Sequence, residues 1–230
     1  MPVAVFAIGD LHLSLGGDKP MDVFPGWEGY ARRIEQSWRE QVREGDTVVL
    51  DGDTCWGMSL EEARADFEFL QALPGRKILV KGNHDYWWST KRKMDAFFLE
   101  NGLDSFEILH NNCIAADGLL LCGTRGWMLE DGAPSDKKVS AREAGRLSAS
   151  LRDAEGREGE RVVFLHYPPL YRESLSGDMI DLMLEYRIKR CYYGHLHGVS
   201  CRTAFEGEYL GICFSLISAD HLGFSLKKIT

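Results

Sequence analysis

Residues 3–12, VAVFAIGDLH, consist of an apolar run followed by an acidic and a basic side chain, Asp10 and His12. The run Val3–Ile8 is continuous rather than alternating, which is typical of a strand buried on both faces. Asp10 and His12 are two positions apart, so in an extended segment both side chains point to the same side. The stretch therefore predicts a buried strand whose carboxyl end carries two groups able to hold one cation.

Similar apolar runs recur along the chain and predict further buried strands. They are Thr47–Leu50, Lys77–Val80, Leu119–Cys122, Val162–Leu165 and Cys191–Tyr193. Between them lie stretches of helical period, namely Glu28–Val42, Ser59–Leu73, Thr90–Glu100 and Ser140–Ala154. The second of these opens with a capping box, Ser59-Leu60-Glu61-Glu62. Alternating strands and helices predict an α/β fold in which helices cover a sheet.

The last part of the chain has a different pattern. From Cys201 onwards, Arg202–Phe205, Tyr209–Leu216 and Gly223–Ile229 predict an antiparallel meander with little helix. The segment Glu130–Lys138, EDGAPSDKK, is predicted to be the most mobile loop. Since no repeat or Pro/Ser-rich linker divides the sequence, we expect residues 1–230 to form one domain.

Composition narrows the class of protein. The chain has 230 residues, 44% of them hydrophobic, and its 27 basic and 35 acidic residues give a net charge of −8. The longest basic block is Lys91-Arg92-Lys93, which argues against duplex nucleic acid as a partner but leaves small phosphorylated molecules open. The six cysteines form no C-x-x-C pair, and no apolar run approaches ~18 residues. We therefore expect a cytoplasmic protein with reduced thiols and no membrane segment.

Histidines mark the candidate site. Of the seven histidines, five fall in small clusters with Asp or Asn, close behind a predicted strand. These clusters are Asp10-Leu11-His12, Gly82-Asn83-His84-Asp85, His166 and Gly194-His195-Leu196-His197, and Asp51-Gly52-Asp53 adds carboxylates. In open α/β sheets, ligand-binding groups gather beyond the carboxyl ends of the strands. The clusters are therefore expected to converge on one cleft.

The residue types in these clusters indicate which metals fit. Imidazole, carboxylate and amide oxygen without a thiolate suit Mn²⁺, Fe or Zn²⁺ better than Ca²⁺. Asp10, His12, Asp53, Asn83, His166, His195 and His197 supply more ligands than one ion needs. Two divalent ions sharing a bridging carboxylate would use them all, and a water bridging two such ions loses its proton near neutral pH. That hydroxide would be the nucleophile of a phosphoryl displacement.

In order and spacing, the clusters resemble the five signature blocks of the calcineurin-like metallophosphoesterase superfamily, over residues 10–197. The resemblance implies a two-sheet β-sandwich flanked by helices, with four layers in the order α/β/β/α. It implies one metal held by Asp10, His12, Asp53 and His197, and a second held by Asp53, Asn83, His166 and His195. It also implies that His84 faces the scissile phosphate, and we expect Asp85 to hold the ring of His84.

Some positions depart from the family pattern. Members that dephosphorylate phosphoserine and phosphothreonine continue Gly-Asp with x-Val-Asp-Arg-Gly, whereas here Thr54-Cys55-Trp56-Gly57 follows. The loss of that Asp-Arg pair argues against a protein phosphatase, and the sequence is more similar to a small bacterial branch of predicted phosphohydrolases. Arg125, flanked by glycines, is a candidate phosphate-binding residue or else a surface arginine in a turn. Trp56 and Trp87 are candidates for substrate stacking or else core aromatics.

The sequence therefore predicts a dinuclear metal-dependent phosphoesterase that hydrolyses a small phosphate mono- or diester. A nuclease or a cyclic-nucleotide phosphodiesterase is an alternative within enzymes, although a nuclease would need a basic approach to the cleft. A non-catalytic protein-binding scaffold on the same fold is an alternative of another class. The motifs leave open the substrate, the native metal and the oligomeric state.

Overall fold

Two β-sheets pack face to face with helices on their outer faces, in a computed structural model that describes residues 3–128 and 134–230. The strands are β1 Val5–Ile8, β2 Thr47–Asp51, β3 Arg76–Val80, β4 Phe106–Ile108, β5 Ile114–Ala116, β6 Leu119–Thr124, β7 Glu160–Leu165, β8 Leu170–Tyr171, β9 Ser174–Leu175, β10 Arg190–Tyr193, β11 Gly207–Tyr209, β12 Ile212–Leu216 and β13 Lys227–Lys228. The helices are α1 Tyr30–Gln41, α2 Arg64–Gln71, α3 Lys91–Glu100, α4 Pro134–Asp153 and α5 Gly177–Glu185, with 3₁₀ turns at Met21–Val23 and Gly198–Thr203.

Strand order places the carboxyl ends of the central strands at a common edge. The first sheet has the order β13-β1-β2-β3-β4 and is parallel except for β13. The second has the order β11-β12-β10-β7-β6-β5, in which β12, β10, β7 and β6 are parallel. Beyond the strand ends, Gly9 N donates to Ile217 O at 2.7 Å and Ala219 N donates to Gly9 O at 2.9 Å. These bonds join the two sheets at the edge where the histidine clusters follow.

The core has three layers because side chains alternate across each strand. Val5, Ala7, Val49, Leu121 and Phe164 lie between the sheets. The intervening residues of the first sheet pack under α1, α2 and α3, and those of the second pack under α4 and α5. The predicted four-layer α/β/β/α sandwich is confirmed.

The first helix shows how the sequence pattern becomes packing. Tyr30, Ile34 and Trp38 recur every four residues and are the buried residues of α1. Trp38 also donates its indole N–H to Pro74 O at 2.8 Å, so the buried polar atom is satisfied. The periodicity therefore identifies the face of α1 that covers the first sheet.

The second helix begins later than predicted. The Ser59 hydroxyl accepts from Glu62 N–H at 3.3 Å, but the Glu62 carboxylate accepts from Met58 N–H at 2.9 Å. A capping box requires that carboxylate to reach back to the backbone of Ser59 itself. The segment therefore forms a turn, and α2 starts only at Arg64.

The predicted C-terminal meander is wrong. Residues 198–203 form a 3₁₀ turn, and only β11 and β12 pair as an antiparallel hairpin. Because Ile212, Phe214 and Leu216 are buried, β12 inserts in parallel beside β10 inside the second sheet. The chain then crosses to the first sheet, where β13 pairs with β1.

The predicted loop Glu130–Lys138 is also corrected. α4 begins at Pro134, so residues 134–138 are helical, and proline fits the first turn of a helix because its missing N–H has no partner there. Residues 130–133 lie outside the described part of the chain. All six cysteines are free, as expected. Within the described ranges, no helix is long and apolar enough to cross a membrane.

Candidate metal centre

The predicted ligands come together from both sheets. From the first sheet, Asp10 and His12 follow β1, Asp53 follows β2, and Asn83 follows β3. From the second sheet, His166 follows β7, and His195 and His197 follow β10. The carboxyl ends of these five strands meet at one edge, so all seven side chains gather where the sequence predicts a cleft.

The backbone at this edge is strained. Four of the predicted ligand residues have φ in the left-handed region: Asp10 (58°), His12 (46°), Asp53 (49°) and His195 (72°). Residues with a Cβ avoid this region, which costs about 1–2 kcal/mol per residue. Hydrogen bonds between the loops hold the conformation, since Asp10 N donates to Gly52 O and His12 N to Asp53 O, both at 2.9 Å. Strain of this kind is characteristic of functional sites.

Glycines beside the ligands leave space for them. A Cβ on Gly52 would lie 2.4 Å from Nδ1 of His166, and one on Gly194 would lie 2.4 Å from Oδ2 of Asp10. A Cβ on Gly82 would lie 2.1 Å from Oδ1 of Asp53. At Gly52, Gly82 and Gly194, glycine is therefore required because a predicted ligand from another strand occupies the space of a side chain.

Asp10, His12 and His197 form the first group of donors. Nε2 of His197 lies 3.3 Å from Oδ1 of Asp10 and 3.3 Å from Nε2 of His12. One ligand atom from each of the three residues falls within 4.8 Å of the others. Asp10 and His12 are almost completely buried, so few water molecules can satisfy these atoms. The geometry fits a single cation at their centre.

A second group of donors lies beside the first. Oδ1 of Asn83 is 2.7 Å from Nε2 of His166 and 2.9 Å from Nδ1 of His195. Oδ2 of Asp53 lies 3.5 Å from Nε2 of His166 and 3.8 Å from Nε2 of His12. The other carboxylate oxygen of Asp53, Oδ1, accepts from His84 N–H at 2.7 Å. Oδ2 of Asp53 is therefore the atom that lies between the two groups.

The electrostatics of the site suit a cation. Burial, which outweighs attraction to Asp10, lowers the pKa of His12 to about 3, so its ring is neutral and keeps a lone pair. Burial and the neighbouring His166 likewise lower the pKa of His195 to about 3. Burial and the like charge of Asp10 raise the pKa of Asp53 to about 8. Burial opposes the charged form of His197, yet Asp10 and Asp220 raise its pKa to about 10. The neutral imidazoles of His12 and His195 and the crowded carboxylates are donors that divalent metals stabilise, and binding a metal through His197 would release its proton.

His84 stands beside the ligands with a different partner than expected. Its Nδ1 lies 3.1 Å from the hydroxyl of Tyr86, and its ring lies 4.7 Å from that of Trp56. The expectation that Asp85 holds this ring is wrong. The buried Asp85 carboxylate instead accepts backbone N–H groups of Gly82 at 2.7 Å and Asp53 at 3.0 Å. Asp85 therefore fixes the loops that carry the ligands.

A sequence model of the calcineurin-like phosphoesterase family matches residues 3–199, which include every one of these donors. The chain belongs to the calcineurin-like phosphoesterase family. No curated protein sequence matches the chain significantly.

Several solved structures have a similar fold. TT1561 of Thermus thermophilus has a TM-score of 0.59 at 13% identity, over 100% of this chain and 99% of its own. A phosphopantetheinyl hydrolase from Mycobacterium tuberculosis has a TM-score of 0.58 at 15% identity, over 99% and 96%. GAP50, described as the anchor in the inner membrane complex of Plasmodium, has a TM-score of 0.52 at 14% identity, over 95% and 72%. At these identities the likeness is one of fold.

The three predicted substrate-binding residues have different surroundings. Trp56 is half-buried and stacks on His12, with ring centroids 4.8 Å apart. The prediction that Trp87 contacts substrate is wrong, because its side chain is only 2% exposed and packs on Phe67. Its indole N–H donates to the Asp85 carboxylate at 3.1 Å. Arg125 lies on a neighbouring pocket, with its guanidinium over the ring of Trp127.

Sequence reasoning missed two residues that position the site. Oδ1 of Asp220 lies 3.0 Å from Nδ1 of His197, and Oδ2 accepts from Gly198 N–H at 2.8 Å. Tyr86 contacts the ring of His84 as described. Asp220 follows the apolar run Tyr209–Leu216, and a carboxylate shortly after a strand is the same pattern that marks the other clusters. No comparable pattern marks Tyr86.

Proposed function

We propose that this chain is a dinuclear metal-dependent phosphoesterase that hydrolyses a small phosphate mono- or diester. The observation that carries the proposal is the convergence of two adjacent donor groups, with Oδ2 of Asp53 3.8 Å from a nitrogen of the first and 3.5 Å from a nitrogen of the second. A carboxylate between two donor groups is what two closely spaced ions require.

The donor residues fit a pair of divalent ions. Asp10, His12, Asp53 and His197 would hold one, and Asp53, Asn83, His166 and His195 would hold the other. Nitrogen and oxygen ligands of this kind suit Mn²⁺, Fe or Zn²⁺. The chemistry that such ions supply is neutralisation of phosphate charge and a lowered pKa of water.

His84 is the residue proposed to move a proton. Tyr86 holds Nδ1 of His84 at 3.1 Å, which leaves Nε2 for an oxygen of the substrate. Burial and the neighbouring His166 lower the pKa of His84, and the negative charge of a bound phosphate ester would counteract that shift. In this role, Nε2 of His84 donates the proton that the leaving alkoxide takes up.

Other side chains exclude water and fix orientation. Trp56 and Trp27 pack their rings 4.8 Å and 6.0 Å from the ring of His12, which limits solvent on that side of the donors. Nδ1 of His166 lies 3.1 Å from the backbone oxygen of Asp51, so Nε2 points towards Asn83. Such supporting contacts orient ligands and set their basicity.

Hydrolysis of p-nitrophenyl phosphate and bis(p-nitrophenyl) phosphate, each with Mn²⁺ and with a chelator, tests the proposal. We expect hydrolysis of at least one ester that needs Mn²⁺ and is lost with the chelator. Cleavage of the diester alone would favour the phosphodiesterase alternative. A protein that binds no metal and cleaves neither ester would contradict the proposal and favour a scaffold.

A further inference from the structure

Three cations line a second pocket beside the metal centre. The pocket has a volume of about 300 Å³, and Lys81, Arg125 and Arg146 line it together with His110. Lys81 directly follows β3 and Arg125 directly follows β6, whereas Arg146 comes from α4. We refer to the space lined by these four residues as the cationic pocket.

The cationic pocket is within reach of the metal ligands on both sheets. Lys81 precedes Asn83 by two residues, a length of chain that spans at most about 7 Å. On the other side, Arg125 O accepts from Tyr167 N–H at 2.9 Å, and Tyr167 directly follows His166. The pocket therefore adjoins the loops that carry Asn83 and His166.

The cations of the pocket outnumber the carboxylates bonded to them in the described part of the chain. The fully buried Glu143 carboxylate lies 2.7 Å from Arg146 and 3.5 Å from Arg125, and it also accepts from the Thr124 hydroxyl at 2.7 Å. Among the described residues, the ammonium of Lys81 has no ion pair or hydrogen bond. Nε of Arg125 is buried and also has no partner within this part of the chain. Within the described residues, Glu143 is the one carboxylate paired with Arg125 and Arg146, so the three cations of the pocket keep an excess of positive charge that an anion would balance.

The donors are also held in place before any ligand arrives. The guanidinium of Arg125 lies 5.0 Å from the ring centroid of Trp127, and Arg146 is tied to Glu143. Ser89 and Thr90 line the rim, and α3 begins immediately after them. The positive end of a helix dipole favours a negative group at that position. Groups fixed in this way lose little entropy on binding.

We propose that the cationic pocket binds an anionic group, phosphate or carboxylate, carried by the same molecule whose phosphoester lies at the metal centre. The inference rests on the proposed function and narrows its substrates to phosphoesters with a second anionic group. Guanidinium groups bind both anions through paired N–H donors, and the ammonium of Lys81 adds a point charge.

Binding of inorganic phosphate to the metal-free protein tests the pocket without catalysis. Because no divalent ion is present, phosphate cannot bind through a metal at Asp10, His12 or Asp53. We expect saturable shifts of the backbone amide NMR signals of Lys81, Gly123 and Arg125. Lys81→Met and Arg146→Met should each weaken this binding about tenfold or more, the effect of losing one charge-assisted hydrogen bond. Arg142→Met, an exposed position on the same helix, should not change it. A titration without saturation, or equal binding by the unaltered protein and all three variants, would overturn the proposal that the pocket binds an anion.

Two further measurements distinguish a phosphate from a carboxylate in the pocket, and the pocket proposal from the proposed function. Acetate that saturates the same signals at lower concentration than phosphate would assign the pocket to a carboxylate. In the metal-loaded protein, we compare kcat/KM for glycerol 3-phosphate, 3-phosphoglycerate and 2,3-bisphosphoglycerate, which share a carbon skeleton. The advantage of a substrate with a second anion should fall about tenfold in Arg146→Met and persist in Arg142→Met. An unchanged advantage would overturn the substrate assignment, whereas phosphate binding without any hydrolysis would overturn the proposed function alone.

Discussion

The carboxylate of Asp220 lies 3.0 Å from Nδ1 of His197, while Nε2 of the same ring lies 3.3 Å from Asp10. The ring is thus held from one side and presents its other nitrogen to the first donor group. Asp220 comes from the segment after β12, at the junction between the two sheets. A hydrogen-bonded carboxylate of this kind fixes the tautomer of a histidine ligand and raises its basicity.

Asp220→Asn is expected to weaken metal binding about tenfold to hundredfold, because the ring of His197 loses its charged partner. Titration of the metal-free protein with Mn²⁺ in a calorimeter measures the change. Asp178→Asn, an exposed carboxylate on α5, serves as the matched control and should bind like the unaltered protein. Equal affinity in both variants would show that Asp220 does not position the ligand.

Gly82→Ala is expected to abolish high-affinity metal binding, since its Cβ would lie 2.1 Å from Oδ1 of Asp53. Gly145→Ala is the control, because nothing lies within 4 Å of a Cβ at that position in α4. The control should raise the free energy of unfolding by about 0.5–1 kcal/mol, as expected for Gly to Ala within a helix. Normal metal content in Gly82→Ala would contradict the steric account of why glycine precedes Asn83, a proposed ligand.

Asp66→Asn is expected to stabilise the protein above pH 6. Burial raises the pKa of Asp66 from 3.8 to about 6, although Leu15 N–H donates to its carboxylate at 2.7 Å. Between these values the native state holds more protons than the unfolded state, so this group's contribution to stability falls as the pH rises. Asparagine can still accept the hydrogen bond from Leu15 N–H but carries no charge. Removing the buried charge should raise the free energy of unfolding by about 1–3 kcal/mol.

Urea unfolding of the wild type and Asp66→Asn between pH 4 and pH 8, in the presence of chelator, measures this difference. The gain should be largest above pH 6 and should become small at pH 4, where the native carboxyl is protonated and the unfolded one is about half protonated. A gain that does not vary with pH would show that the burial of charge is not its cause.

Tyr86→Phe is expected to lower kcat several-fold with little change in KM, because Nδ1 of His84 loses its partner at 3.1 Å. The acidic or basic limb of the pH–rate profile that reports His84 should shift, which a purely structural role would not produce. Tyr209→Phe, on an exposed tyrosine of β11, is the control. An unchanged profile would exclude Tyr86 as a positioning residue.

Most of the fold could be predicted because its strands are short runs of aliphatic residues. β1, β2, β3, β6, β7 and β10 all lie where continuous apolar runs occur in the sequence. The prediction for the C-terminal region was wrong because the same β pattern permits either a hairpin or insertion beside a distant strand. β12 pairs in parallel with β10 because this position buries Ile212, Phe214 and Leu216 in the second sheet. Local sequence spacing does not determine that pairing.

The donor residues of the site could be predicted because each cluster follows a strand, but their supporting contacts could not. Asp85 next to His84 suggested a pair, yet the turn directs its carboxylate to the N–H groups of Gly82 and Asp53. Trp87 likewise lies in the loop of a ligand but points into the core against Phe67. Neighbours in sequence diverge at a tight turn, and only tertiary packing decides where each side chain goes.

Metal content per chain, measured by mass spectrometry after loading with Mn²⁺ and removal of the excess, tests the central claim most directly. The claim is that Asp53 joins two metal sites while His84 binds neither. We expect about two ions in the unaltered protein and in His84→Ala, with turnover lost only in the latter, and a loss of bound metal in Asp53→Ala. Equal loss of metal in both variants, or a single ion in the unaltered protein, would contradict the claim.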